Sequence, residues 1–398
     1  MSTFERIRSW EEAYELPTYA KWPIALLRGQ GSYVWDVEGR RYLDFYGGHC
    51  VTLLGHNPPP VVEAIQRQAE TLLFYSNVVY SPVRAEAARL LAALAPEGVR
   101  RVFFCNSGTE AIETALKLAR TYTGRPGVVA MQGDFHGRTL GSLSVTWGQK
   151  YRKPYRAVLP EAHFVPFGEL RPLRELLRRR GDIGACILEP IQSMAGVYEA
   201  PPGYYRGLRE LCDAHGVVLI FDEVQTGVGR TGTFSVSEAY GMRPDMIALA
   251  KSLGSGVPVG AVLVSEAIAS TVRPGDQGTT FGGGMLAMAA VSATLRMLIE
   301  GNWMARAPEI FTRIREGLID RVGAIRGRGC LIGIELPFPA APLVAALRQE
   351  GVLVGTSEHP ATIRLMPPLT TSEEEIAFFL AAFHRAIDRV SKQEAVYA

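Results

Sequence analysis

VVLIFDEV (217–224) and DMIALAKSLGSG (245–256) each carry an apolar run that ends on a charge. In the first, five apolar residues precede Asp222; in the second, Met246–Ala250 precede Lys251. Runs of Val, Ile and Leu without polar alternation suit strands covered on both faces, as in a parallel sheet. VFFC (102–105), VVAM (128–131), ACILEP (185–190) and GAVLVS (260–265) read the same way. Helical patterns lie between them, one from about Thr109 to Thr123 and another over YYRGLRELCDAHG (204–216), which ends in Gly as a helix C-terminus should. The predicted fold class is therefore α/β.

The texture changes near residue 325, where RGRGCLIGIELP, a helical PLVAALRQEG, VLVG and TIRLMPPL precede a terminal helix. This predicts a smaller C-terminal α+β unit. YVWDVEGRRYLDF (33–45) reads as a hairpin with Glu-Gly at its turn, predicted to pack against that unit. At 398 residues the chain exceeds the usual size of a single core.

A net charge of +2 gives no footing for a nucleic-acid or acidic-membrane partner. The basic RPLRELLRRR (171–180) has Leu173, Leu176 and Leu177 at helical spacing, the pattern of a solvated amphipathic helix. No stretch of about twenty apolar residues occurs, and the N-terminal residues lack a secretory apolar core. Five scattered cysteines fit reduced, buried thiols and a cytoplasmic setting, and they do not pair as metal ligands.

In open α/β sheets ligands sit at the carboxyl ends of the strands, so the polar residues there are the candidates. VFFC leads into Ser107-Gly108-Thr109 before a helix, which is either an ordinary N-cap or a phosphate cradle. Asp222 is capped by backbone N–H groups or held as an anion for a cationic partner. Lys251, if desolvated, becomes a nucleophilic amine; on a surface strand it would reach into water. A phosphate nest, a carboxylate and an amine at one sheet edge match the needs of pyridoxal phosphate. GVGRTG (227–232) matches a dinucleotide-binding pattern, but neither the preceding turn nor the following TFSVSEAYG fits it, so a glycine-rich turn is the reading.

With NSGTEA, FHGRT, EPIQ, IFDEVQTGVGRTG, ALAKSLGSGVPVGA, TTFGGG and RLMPPL in order, the chain resembles the class III aminotransferases of pyridoxal-phosphate fold type I. Within that class it is most similar to the acetylornithine, succinylornithine and ornithine group. The resemblance implies a large cofactor-binding domain over residues 61–305, with a mostly parallel sheet covered by helices. It implies a small domain over 306–398, joined by the N-terminal segment 1–60.

It also implies roles. Ser107, Gly108 and Thr109 would hold the cofactor phosphate; Phe135 and Val224 would cover the two ring faces, with His136 and Glu189 close by. Asp222 would pair with the ring nitrogen, Gln225 would contact the ring 3′-oxygen, and Lys251 would form the Schiff base and carry the proton. Thr280 would reach the phosphate of a neighbouring subunit, which implies a homodimer with sites at its interface. Arg138 would hold the carboxylate far from the reacting carbon and Arg364 the α-carboxylate of glutamate, with Ser76, Asn77, His49 and Met194 around the substrate. Apart from the resemblance, either arginine reads first as a structural ion pair, and His49 equally as a buried imidazole.

Met194 departs from this pattern, because the group usually has a glutamate there that pairs with the arginine matched by Arg364. A thioether cannot neutralise a guanidinium, so Arg364 is expected to stay free for a carboxylate. The implied reaction is ping-pong transfer of an amino group between an N-acylornithine and 2-oxoglutarate, as in arginine synthesis. A racemase or epimerase of the same class, or an aminotransferase for ornithine, GABA or lysine-type donors, is the alternative. A nicotinamide-dependent oxidoreductase is a more distant one.

Overall fold

A computed structural model describes residues 1–397, and the side chains of residues 1–392. Its centre is a seven-stranded sheet ordered Arg101–Cys105, Gly260–Val264, Met246–Leu249, Val218–Asp222, Ile183–Leu188, Gly127–Met131 and His163–Val165. The strands run parallel except Gly260–Val264, which is antiparallel to both neighbours. The reason is the length of its connection. Residues 250–259 hold only one 3₁₀ turn, Lys251–Gly254, whereas a parallel crossover needs about a dozen residues or more.

Alternate residues feed two cores, as pleating requires. Val218 and Ile220 face the helix Gly108–Thr123 with Ile112, Ala115 and Leu116. Leu219 and Phe221 face the other layer, with Leu173 and Leu177 of the basic helix Leu170–Arg179 and Leu208 of Tyr204–His215. The arginines of the basic helix lie on its outer side, and its two buried leucines account for the spacing.

The hairpin Tyr33–Asp36 with Arg41–Asp44 forms as its sequence suggests. Its second strand pairs in parallel with Val352–Leu353, so the N-terminal segment joins the C-terminal elements. A separate four-stranded antiparallel sheet contains Ala324–Arg328, Leu331–Glu335, Thr362–Leu365 and Gly355–Thr356. Among the described residues no helix is long and apolar enough to cross a membrane.

Candidate active site

Because the parallel strands share one direction, Cys105, Met131, Leu188, Asp222 and Leu249 all end at one edge of the sheet. A cavity of about 420 Å³ opens there, lined among others by Ser107, Gly108, Thr109, Phe135, His136, Arg138, Glu189, Asp222, Val224, Gln225 and Lys251. A larger cleft of about 580 Å³ lies under the N-terminal helix. Its Glu11 and Glu15 are already engaged by Lys21 at 2.5 and 2.6 Å, and it offers no comparable set of groups.

The helix Gly108–Thr123 starts at the cavity wall. Ser107 Oγ accepts from Glu110 N and the Ser107 carbonyl from Ala111 N, so capping occupies the hydroxyl, and the N–H groups of Gly108 and Thr109 have no acceptor among the described residues. Both readings of this stretch are thus compatible: the serine caps and the turn still offers donors to an anion. A Cβ on Gly108 would come within 3.1 Å of Val224 and 3.6 Å of Ala250. A side chain there would press on Val224, which would have to give by a few tenths of an ångström. Thr109 Oγ1 is held by the hydroxyls of Thr139 and Ser142 at 2.8 and 2.7 Å.

Asp222 is the cavity end of a buried line of charged groups. Its Oδ2 accepts from His136 Nδ1 at 2.7 Å, and its Oδ1 accepts from Val224 N at 3.1 Å. The other ring nitrogen of His136 faces Asp134 Oδ2 at 3.3 Å. Burial alone would lower the pKa of His136, but the two carboxylates outweigh it and push the imidazole up to about 10. A cationic imidazole therefore supports Asp222 from behind. His136 acts through Asp222, with both its nitrogens directed at carboxylates. Glu223 turns away, accepting from Val236 N at 2.8 Å, and burial pushes its carboxyl up to about 7.

Lys251 follows the strand Met246–Leu249 and takes φ = 42°, a left-handed backbone that costs a residue with a Cβ about 1–3 kcal/mol. Burial lowers its pKa, although Cys50, Asp222 and Glu189 pull the other way. Its neutral amine is consequently present at lower pH than that of a solvated lysine. Glu189, pushed up to about 8 by burial and by neighbouring Asp134 and Asp222, accepts from the backbone N–H of Phe135 at 2.8 Å. That bond fixes where Phe135 stands over the cavity.

Arg364 lies behind Gln225 and is almost fully buried. Its Nε donates to the Thr356 carbonyl at 2.7 Å, while Nη1 donates to Ser193 Oγ at 2.9 Å and approaches Gln225 Oε1 at 3.5 Å. Among the described residues no carboxylate pairs with it, in keeping with Met194 at the position discussed above. Ser193, next to Met194, supplies a neutral hydroxyl instead. Arg138 is exposed at the cavity and likewise lacks an ion-pair partner among the described residues. His49 is half-buried, its Nδ1 bonded to the Tyr46 hydroxyl. Burial, with Lys251 and Arg364 nearby, lowers its pKa to about 3, so it is a neutral imidazole.

Six expected site residues are not among the cavity's lining: Arg364, His49 and Met194, and three that lie on another surface of the chain. Asn77 donates to the carbonyls of Thr279 and Gly282 at 3.3 and 2.9 Å, while Ser76 and Thr280 do not line the cavity. They occupy an exposed surface with Phe74 and Phe281, whose rings are 5.1 Å apart.

The anion donors at the helix start, the braced carboxylate and the buried amine fit the three attachment needs of pyridoxal phosphate. The aminotransferase class-III family matches residues 16–387. This chain belongs to the class-III aminotransferases. It is 44% identical over 380 residues to the acetylornithine aminotransferase of Methanopyrus kandleri, covering 94% of this chain and 97% of the relative. The acetylornithine aminotransferase structure from Elizabethkingia anophelis superposes with a TM-score of 0.86 at 30% identity, covering 98% of this chain and all of that one. An ornithine aminotransferase from Toxoplasma gondii, described with partial occupancy of PLP at its active site, gives 0.92 at 29% identity over 99% and 96% of the two chains. As a class-III aminotransferase the chain has a fold type I scaffold and is a pyridoxal-phosphate enzyme.

Sequence alone missed Asp134, Ser193 as a ligand of Arg364, and the left-handed run from Gly47 to Cys50, with φ between 55° and 71°. Asp44 braces that run by accepting from Tyr46 N and Gly47 N at 3.0 and 2.9 Å. Only the pair Gly47-Gly48 signals it beforehand.

Proposed function

We propose that this aminotransferase moves an amino group between an N-acylornithine, acetylated or succinylated, and 2-oxoglutarate in two half-reactions. The observation that carries the reading is a pair of arginines, Arg138 and Arg364, neither neutralised by a carboxylate among the described residues. A guanidinium fork matches a carboxylate geometrically and keeps its charge at any working pH. Arg364 takes the α-carboxylate of glutamate, and Arg138 takes the carboxylate remote from the reacting carbon. The names of the similar acetylornithine aminotransferases support the donor.

When bound, pyridoxal phosphate supplies an electron-accepting ring for the pair left by a broken C–H bond. The chain's own groups do the rest. Gly108 and Thr109 N–H would donate to the phosphate, Asp222 would pair with the ring nitrogen, and Phe135 and Val224 would flank the ring. The Lys251 amine, whose neutral form burial favours, would accept the proton from the substrate carbon and give it back. Residues 61–305 form the cofactor-binding domain, with 306–398 and the N-terminal 1–60 as the smaller one; the shared sheet of Arg41–Asp44 with Val352–Leu353 supports that division. The five free cysteines, all buried, suit a reducing cytoplasm.

A donor panel against 2-oxoglutarate tests the substrate. N-acetyl- or N-succinylornithine is expected to exceed ornithine and GABA at least tenfold in kcat/KM. Racemisation of a single glutamate enantiomer without amine transfer would favour the racemase alternative and contradict the reading.

The assembly in this reading is a homodimer. Support comes from the exposed run Leu72–Tyr80 with Phe281, where Val78 is 83% and Phe281 65% exposed, an apolar surface of the kind that marks an interface. Thr280 stands on that surface, and in this reading it reaches a second copy's phosphate site. Sedimentation of the holoenzyme is expected to give two chains; a fully active monomer would contradict this.

A further inference from the structure

Arg138 packs over an aromatic ring. Its guanidinium carbon lies 4.3 Å from the centroid of Tyr151. The same ring meets Phe135 edge-on, with centroids 5.6 Å apart and planes at 78°. Tyr151 thus touches both the residue that covers the cofactor and the cation offered to the substrate. It sits in the short helix Gln149–Arg152, and a Cβ on Gly148 would come within 2.6 Å of its ring.

A second set of contacts leads from this ring to the other arginine. Lys150 Nζ lies 4.8 Å from the Tyr151 centroid and pairs with Glu358 Oε1 at 3.3 Å. Glu358 N donates to the Met194 carbonyl at 2.7 Å. Two residues earlier, Thr356 offers the carbonyl that holds Arg364 Nε.

We propose that Tyr151 is the positioning residue for Arg138, and that the Lys150–Glu358 pair fixes the spacing between Arg138 and Arg364. The site would thereby select ligands whose two carboxylates are a set distance apart. This rests on the reading of the two arginines as carboxylate anchors. A carboxylate partner could also orient Arg138, but it would consume the charge that the substrate needs. A ring face attracts a cation through its quadrupole and leaves the guanidinium edge free for hydrogen bonds. The ring, rather than the hydroxyl, does this.

Calorimetry of the holoenzyme with glutarate, a non-reacting five-carbon dicarboxylate, and with propionate tests the proposal. Tyr151→Leu is expected to weaken glutarate about three- to fivefold, within the range of an exposed cation–π contact, and to leave propionate within twofold. Tyr151→Phe is expected to keep both within twofold. Unchanged glutarate affinity in a cofactor-loaded Tyr151→Leu enzyme would overturn the role of Tyr151. Should that variant fail to fold, Lys150→Met carries the test: its preference for glutarate over succinate and adipate is expected to fall at least threefold, and an unchanged preference overturns the proposal. If unaltered enzyme binds glutarate no better than propionate, the two-anchor reading itself fails.

Discussion

Lys251→Ala is expected to retain pyridoxal phosphate by non-covalent contacts and to lose turnover by at least about 10³-fold. Proton transfer by a placed base contributes about 10²–10⁴-fold, and loss of the covalent attachment adds to that. Alanine removes the only amine lining the cavity among the described residues. The remaining contacts, namely the helix-start N–H groups, Asp222 and Phe135, are untouched. The expected spectrum is that of free rather than lysine-bound cofactor, with the protein fully loaded after dialysis. Turnover within tenfold of the unaltered enzyme would contradict the assignment. Added small amines such as methylamine should restore part of the rate, because the variant lacks a base and not a binding surface.

The second large effect is expected at Asp222. An amide in Asp222→Asn has nearly the same shape but cannot hold a ring nitrogen as its cation. It also leaves the His136 imidazolium facing one carboxylate instead of two. Removing one preorganised electrostatic group costs about 10²–10³-fold in rate, and the first half-reaction with glutamate should slow by that factor while cofactor remains bound. The pH dependence has a definite sign. His136 is held near 10 by Asp134 and Asp222, so the loss of one carboxylate lowers its pKa and brings its deprotonation closer to neutrality. An Asp222→Asn enzyme with a half-reaction within fivefold of normal would show that the ring nitrogen finds its charge elsewhere.

Much of this site was legible in the chain because its residues stand at strand ends. Asp222 and Lys251 each close an apolar run, and Ser107-Gly108-Thr109 opens a helix, so one-dimensional pattern and sheet topology together place them at one edge. GVGRTG was correctly read as a turn. Val228 and Gly229 take φ of 61° and 91°, and Arg230 is buried, donating to the Pro367 carbonyl at 2.7 Å. The direction of Gly260–Val264 depended on loop length, which apolar patterning does not report. Asp134, Ser193 and Tyr151 were not legible, since each acts across a distance that only the folded chain closes. Asp134 reaches His136 by a turn at the sheet edge, and Tyr151 reaches Arg138 thirteen positions away. Ser76, Asn77 and Thr280 lie on a surface away from the cavity, and no strand-end pattern places them there.

In the proposed mechanism the amine of one buried lysine carries the cofactor covalently at the sheet edge. Borohydride reduction of the loaded enzyme, followed by proteolysis and mass measurement of the peptides, reads that link. The pyridoxyl mass is expected on the peptide containing Lys251, and none there in Lys251→Ala. Reduced enzyme that holds its cofactor while Lys251 remains unmodified would contradict it.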